Sequence, residues 1–567
     1  MIVFDEVSVR YGPQTPRVLD RVNLVLDDGQ LVVVAGPTGV GKSTLLGAIN
    51  GHVPHFTGGV LTGVVTVEGL STADHPPREL AHLVGVVAQD PQAGFVTDTV
   101  EEELAYGMEQ LGIGSQVMRT RVEETLDILG LADLRTRPLR TLSGGQQQRV
   151  AIGSVLAAGV RYLVLDEPTS ALDPVSSEEV LASLLRLVDD LGLTVVIAEH
   201  RLERVIGYAD RMVVLDGHGG VVAGPPREVL AASPLVPPVV ELGRVAHFPA
   251  VPLSVREARR LAGPLKEALA GRHPGRYPRV PPAQGRSSVA IPPVPASPPG
   301  QAGSVPATGL TATGLRVVYG PIVAVADLSI RLPAGVVTVI MGRNGSGKSS
   351  LLWALTGVEK LAAGRFDVDG VPLANLSPSR VRAFARLVPQ TAADLLYLPT
   401  VAAECAAADR ESGEADGLCR RILAALAPAI DPDAHPRDLS EGQRLCLVLA
   451  IQLTARSRVI LLDEPTRGLD YPAKASLVQI LAEMAADGHA VGVVTHDVEF
   501  AAAVADRIVV MAGGEVIQEG TAGEVLGSSA LFASQVAKVL YPDGWLTPYQ
   551  VGQALARQPV EPVSEAR

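Results

Sequence analysis

The sequence predicts an α/β protein that contains one domain twice, each copy built on a mainly parallel sheet. Two observations predict this. GPTGVGKST (36–44) and GRNGSGKSS (342–350) are followed, in the same order, by LVLDEPTSALD (163–173) and ILLDEPTRGLD (460–470). The offset between the copies is nearly constant, which marks a tandem duplication with a slightly shorter second copy. Short β-branched runs also alternate with helix-like stretches: LVVVAG (31–36), YLVLDE (162–167), TVVIAEH (194–200), VVTVIMG (336–342) and VILLDE (459–464). Such alternation means parallel strands covered by helices.

Length and composition agree. A chain of 567 residues exceeds one core and suggests two to four domains. Aromatic residues are only 4% and apolar residues 47%, a composition expected of a folded, soluble protein. No run approaches the ~18 apolar residues of a membrane span. MIVFDEVSVRYG lacks a basic start followed by an apolar stretch, so no signal peptide is expected. Cys405, Cys419 and Cys446 lack metal-ligand spacing and read as reduced cytosolic thiols. A net charge of −13 makes the chain a poor general binder of nucleic acid, although a local basic patch stays possible.

The expected order is a first domain over 1–230, its C-terminal extension over 231–271, a linker over 272–308, a second domain over 309–530 and a tail over 531–567. HPGRYPRVPPAQGRSSVAIPPVPASPPGQAG is dominated by Pro, Gly and Ser and favours an extended linker; a proline-recognition motif is the competing reading.

Each copy carries the pattern GxxxxGK[ST] between a strand and a helix. Gly36, Gly39 and Gly41, with Gly342, Gly345 and Gly347, let backbone N–H groups wrap phosphates at a helix N-terminus. Lys42 and Lys348 reach the terminal phosphates. Ser43 and Ser349 offer a hydroxyl to Mg²⁺, with Thr44 and Ser350 beside them. Asp166 and Asp463 end an apolar strand, where a carboxylate holds the metal shell. Glu167 and Glu464 follow, placed to polarise an attacking water. His200 and His496 end the next strand in both copies and read as γ-phosphate sensors; a structural histidine is the plainer alternative. Gln89 and Gln390 follow VGVVA and ARLVP, where an amide joins metal and water. Tyr11 and Tyr319 stand where a ring stacks on adenine, with an ordinary surface tyrosine as the rival reading.

With LSGGQ at 142–146 and LSEGQ at 439–443, this set resembles the ABC ATPase family, whose signature is LSGGQ. The resemblance covers about 1–230 and 309–530. It implies that each phosphate-loop NTPase domain has a parallel core, an antiparallel β subdomain and a helical signature subdomain. It also implies two ATP, with Mg²⁺, held between cassettes arranged head to tail. Gly36–Thr44 would then face Ser440–Gln443, and Gly342–Ser350 would face Ser143, Gly144, Gly145 and Gln146. Ser440, Gly442 and Gln443 keep the binding letters, while Glu441 replaces the first glycine. Asp173 and Asp470 join the nucleotide-binding set by the same resemblance.

NGHVPHFTGGVLTGVVTVEG (50–69), QDPQAGFVTDTVEEELAYGMEQLG (89–112), EHRLERV (199–205) and PPVVELGRVAHFPAVPLSVREARRL (237–261) look like one subgroup, the cassettes of energy-coupling factor importers. That resemblance implies an importer ATPase for a vitamin, vitamin precursor or metal ion. It would be held at the cytoplasmic face of the plasma membrane by a coupling subunit and a substrate-capture subunit. No nucleic acid partner is expected. The alternatives are a translation-associated twin cassette bound to ribosomes and a twin-cassette sugar importer ATPase. Glu101–Glu103 read as a solvated helix face. Were the Glu441 carboxylate to face a phosphate at ~6 Å, repulsion near an effective dielectric of 20 would reach about 3 kcal/mol. Pointed outward, the carboxylate would cost little and suit the positive end of the helix. Two working but unequal sites are expected, with the Lys42 site the weaker.

Overall fold

The structure is a computed structural model describing residues 1–13, 15–170, 172–276, 278–281, 308–427, 430–529 and 532–557. Contacts divide the chain into Met1–Val240 with Val251–Ser254, and Glu241–Ala250 with Val255 onward.

The first unit is centred on a strand that no solvent reaches. Leu31–Ala35 is buried along its whole length, as a parallel strand covered on both faces must be. It lies third in the order Val221–Gly224, Arg211–Leu215, Leu31–Ala35, Thr194–Ala198, Tyr162–Asp166, Val84–Val87. All neighbours are parallel except the first pair. The second unit repeats the plan as Ala385–Val388, Val459–Asp463, Ala490–Val494, Val337–Met341, Arg507–Ala512, Glu515–Thr521, with only the last pair antiparallel. Both acidic pairs thus sit at the carboxyl end of a parallel strand, and the strand that leads to the histidine lies between them and the strand that feeds the glycine loop.

Each unit also has a four-stranded antiparallel sheet, built on Ile2–Arg10 in the first and Leu310–Tyr319 in the second. Ile2, Phe4, Val7 and Val9 face its core. The alternation skips at Glu6, where a register shift and a φ of 49° re-aim the strand. The signature helices Gly144–Ala157 and Glu441–Thr454 pack with Val100–Gln110 and Ser115–Ile128, and with Val401–Ser412 and Leu418–Leu426, respectively.

The segment after the first domain is divided between the units. Pro226–Ala232 packs on the strands of the first. Val255–Leu261 and Gly263–Leu269 instead join the second, beside the tail helices Gln535–Val539 and Pro548–Ala556. Ala258, Leu265 and Leu269 are apolar and buried, and the tail's buried Val536, Ala537, Val551 and Ala554 give the joint module an apolar interior. Arg259 Nε donates to Lys538 O at 2.7 Å, and Thr547 Oγ1 to Arg279 O at 2.7 Å. Residues 282–307 of the linker and 558–567 of the tail lie outside the described residues.

Candidate active sites

The glycine loops are held by backbone geometry that only glycine tolerates at their last position. Gly41 and Gly347 have φ of 108° and 95°, and a Cβ there would stand 2.5 Å from Val18 and 2.1 Å from Ala324 O. Helices Lys42–Ile49 and Lys348–Leu355 begin at the next residue. Both lysines are buried and fold onto their own loops. Lys42 Nζ donates to Gly36 O and Pro37 O at 2.9 Å, and Lys348 Nζ to Gly342 O at 2.9 Å and Arg343 O at 2.8 Å. A buried ammonium resting on carbonyls is a cation placed for an anion at the loop mouth.

Ser43 Oγ donates to Asp166 Oδ2 at 2.6 Å, joining the loop to the strand end. Burial pushes the Asp166 carboxyl above its ordinary value, against the opposing Ser43 hydroxyl. Burial likewise raises Asp463 to about 6, opposed by Ser349. Asp463 Oδ1 is buried without a hydrogen-bond partner among the described residues. A buried carboxylate oxygen whose lone pairs meet no donor, beside a serine hydroxyl, fits a hard divalent cation.

The glutamates are held by both backbone and side chain. Glu167 and Glu464 have φ of 48°. Their N–H groups donate to Ala198 O and Val494 O at 2.9 Å, so each turn is pinned to the histidine's strand. His200 Nε2 lies 2.6 Å from Glu167 Oε1, and His496 Nδ1 lies 2.8 Å from Glu464 Oε2. The two rings therefore present opposite nitrogens to the glutamate. Gln89 Nε2 donates to Glu167 Oε2 at 3.2 Å, so amide, acid and imidazole converge in the first copy. Gln390 stands two residues past the end of Ala385–Val388.

The tyrosines differ. Tyr11 is 42% exposed, and its hydroxyl lies 3.0 Å from Thr44 Oγ1 on the phosphate loop. Tyr319 packs against the antiparallel sheet's core, and its hydroxyl has no partner among the described residues.

Both signature serines cap their helices in the same way. Ser143 N donates to Gln146 Oε1 at 2.9 Å and Gln146 N to Ser143 Oγ at 3.3 Å; in the second copy the values are 3.0 and 3.3 Å. Glu441 leaves this reciprocal cap intact. Asp173 and Asp470 cap the helices that follow, accepting from Ser176 N at 3.0 Å and Ala473 N at 2.8 Å.

Several positioning residues are legible only in the fold. The solvated-face reading of Glu101–Glu103 is corrected at its last member. Glu103 is buried, and its Oε2 accepts from Val96 N at 3.1 Å and Thr97 N at 2.9 Å. Glu404 does the same for Tyr397 N and Leu398 N. Each carboxylate thus fixes the segment between the glutamine and the helical subdomain. In the first copy Glu199 Oε1 accepts from His200 N at 3.1 Å and Thr169 Oγ1 donates to Glu199 Oε2 at 2.7 Å. In the second the acid stands after the histidine, as Asp497, and pairs with Lys474 at 2.7 Å. EHR against THD is the sequence trace of that exchange.

The ABC transporter family description matches residues 19–170 and 325–467. The chain belongs to the ABC transporter ATPase family. ABC transporter ATP-binding proteins of Streptomyces avermitilis and Streptomyces coelicolor are 52% and 54% identical, each over 98% of this chain and 100% of its own length. A solved structure described as ribosome-bound archaeal Pelota and ABCE1 is 23% identical, covers 92% of this chain and 79% of its own, and has a TM-score of 0.57. That likeness shows the twin-cassette fold alone. As an ABC ATPase pair, these cassettes bind ATP with Mg²⁺. The phosphate loops, with their buried lysines and the Asp–Ser pairs, fit both. No helix among the described residues is long and apolar enough to cross a membrane.

Proposed function

We propose that this chain is the ATP-hydrolysing, energy-coupling subunit of an importer whose membrane-crossing subunits are separate proteins. The substrate class is a vitamin, vitamin precursor or metal ion. The observation that carries the hydrolytic part is the convergence of Glu167, His200 and Gln89, with Glu464 and His496 repeating it. The importer part rests on the resemblance of 50–69, 89–112 and 199–205 to energy-coupling factor cassettes.

Lys42 and Lys348 hold the terminal phosphates. Ser43, Asp166 and Gln89, with Ser349, Asp463 and Gln390, would hold Mg²⁺, which supplies charge neutralisation on the phosphate oxygens. Glu167 and Glu464 orient the attacking water and draw off its proton. His200 and His496 keep those carboxylates aimed.

Changing Glu167 and Glu464 together to Gln should lower ATP turnover at least 100-fold while ATP stays bound, since binding and charge stabilisation survive and the base does not. Parental turnover in that double variant would remove the glutamates from this role. Fractionation of native cells, with identification of co-purifying membrane proteins, separates importer from alternative. Sedimentation with ribosomes, and absence from membranes, would favour the translation-associated reading.

A further inference from the structure

We infer that Arg444 is a positioning residue that neutralises Glu441, and thereby lets LSEGQ serve a polyanionic nucleotide as LSGGQ does. The inference rests on the reading that the signature faces ATP phosphates. Glu441 is the first residue of its helix, and its carboxylate lies 3.0 Å from Arg444 Nη2, one turn on. Arg444 Nε also donates to Leu439 O at 3.1 Å, which pins the guanidinium over the signature turn. The Glu441 stem lies over Gly468, where a Cβ would come within 3.2 Å of its Cγ; Gly468 has a φ of +69°.

Three letters change together between the copies. Gly144, Gln147 and Ala171 of the first become Glu441, Arg444 and Gly468 in the second. Gln147 is buried, donating to Leu139 O and accepting from Gln92 Nε2, both at 3.1 Å. The added charge thus arrives with a counter-charge at i+3 and with a glycine that makes room for its stem. Glu441 is 48% exposed and Arg444 23%, so the pair contributes little to folding. Its effect is on the field at the signature. A lone carboxylate repels phosphate over a Debye length of about 10 Å at 0.1 M salt, whereas a contact ion pair leaves only a short-range dipole. The weakening expected of a bare glutamate is offset while Arg444 is in place.

The test is steady-state ATPase of the full chain at low and high salt. Arg444→Gln should raise the KM for ATP about five- to tenfold at low salt, with kcat within twofold. The shift should shrink at high salt. Adding Glu441→Gln to the same chain should bring KM back within twofold, although the Leu439 contact stays lost. An unchanged KM in Arg444→Gln, or a rise that persists in the double variant, overturns the inference. Binding of a fluorescent ATP analogue to the Glu167→Gln/Glu464→Gln background reads the same shift as Kd without turnover. A parental chain, with both glutamates in place, that binds but never hydrolyses therefore defeats the hydrolytic reading, while Kd still decides the role of Arg444.

Discussion

At the residue scale, equivalent side chains carry different loads in the two copies. Arg161 and Arg458 stand immediately before the strands Tyr162–Asp166 and Val459–Asp463; Glu68 and Asp369, each at a φ of 51°, are their partners. In the first copy the pair is half open, with Arg161 61% exposed. In the second it is enclosed, at 4% and 1%, with 2.8 Å between Nη1 and Oδ2. Asp369 Oδ1 also accepts from Thr308 N at 2.7 Å and Gly309 N at 2.9 Å. Removing one partner of a buried pair strands the other's charge, at about 3–5 kcal/mol, while an exposed pair is worth about 0–1 kcal/mol. Arg458→Leu should therefore lower the unfolding temperature of its cassette sharply, and Arg161→Leu barely. Equal shifts in a calorimetric scan would show that burial does not set the difference. Their unequal enclosure is not legible in the sequence, because enclosure depends on what the fold brings around them.

At the element scale, loops beside the sites are held by helices rather than by their own residues. Glu103, in the first turn of Val100–Gln110, anchors Val96 and Thr97 through three hydrogen bonds, the third from Thr97 Oγ1 at 2.8 Å. A buried carboxylate taking several N–H groups is worth more than a neutral cap. Glu103→Ala should cost about 1–3 kcal/mol of cassette stability. The Val96 and Thr97 amides should exchange with solvent markedly faster, as read by hydrogen exchange. Protection unchanged at both would place the anchor elsewhere. Arg149 works similarly on the signature helix, reaching Leu129 O at 3.0 Å and Glu179 at 3.3 Å. Cys446 stands in its place in the second copy, so the two helical subdomains are fastened by different means.

At the scale of the molecule, the chain reaches the second unit before the proline-rich stretch begins. Val255–Leu261 and Gly263–Leu269 already belong to that unit, as does everything from 308 onward. Lys266 Nζ donates to Tyr541 O at 3.3 Å and Arg272 Nη1 to Arg557 O at 2.8 Å, adding to the Arg259 and Thr547 bonds. The stretch 282–307 thus connects two parts of one unit. A protease site placed there and cut after purification should leave a single gel-filtration peak with ATPase retained. Two separated fragments would show that the joint module needs the covalent link.

The sequence by itself determined the duplication and the parallel α/β core, and it marked the glycine loops and the candidate acid, serine and histidine of each copy. Each of these is read from a repeat, a periodicity or a short motif, even where its residues act together across many positions, as Ser43 does with Asp166. Tertiary structure alone decided which partners those residues meet. Glu441 lies against Gly468, Glu103 is buried while Glu101 and Glu102 are exposed, and Val255–Leu261 and Gly263–Leu269 join the second unit. Each of these depends on surfaces that come together only when distant stretches pack, and a single chain read in order does not show who its neighbours are.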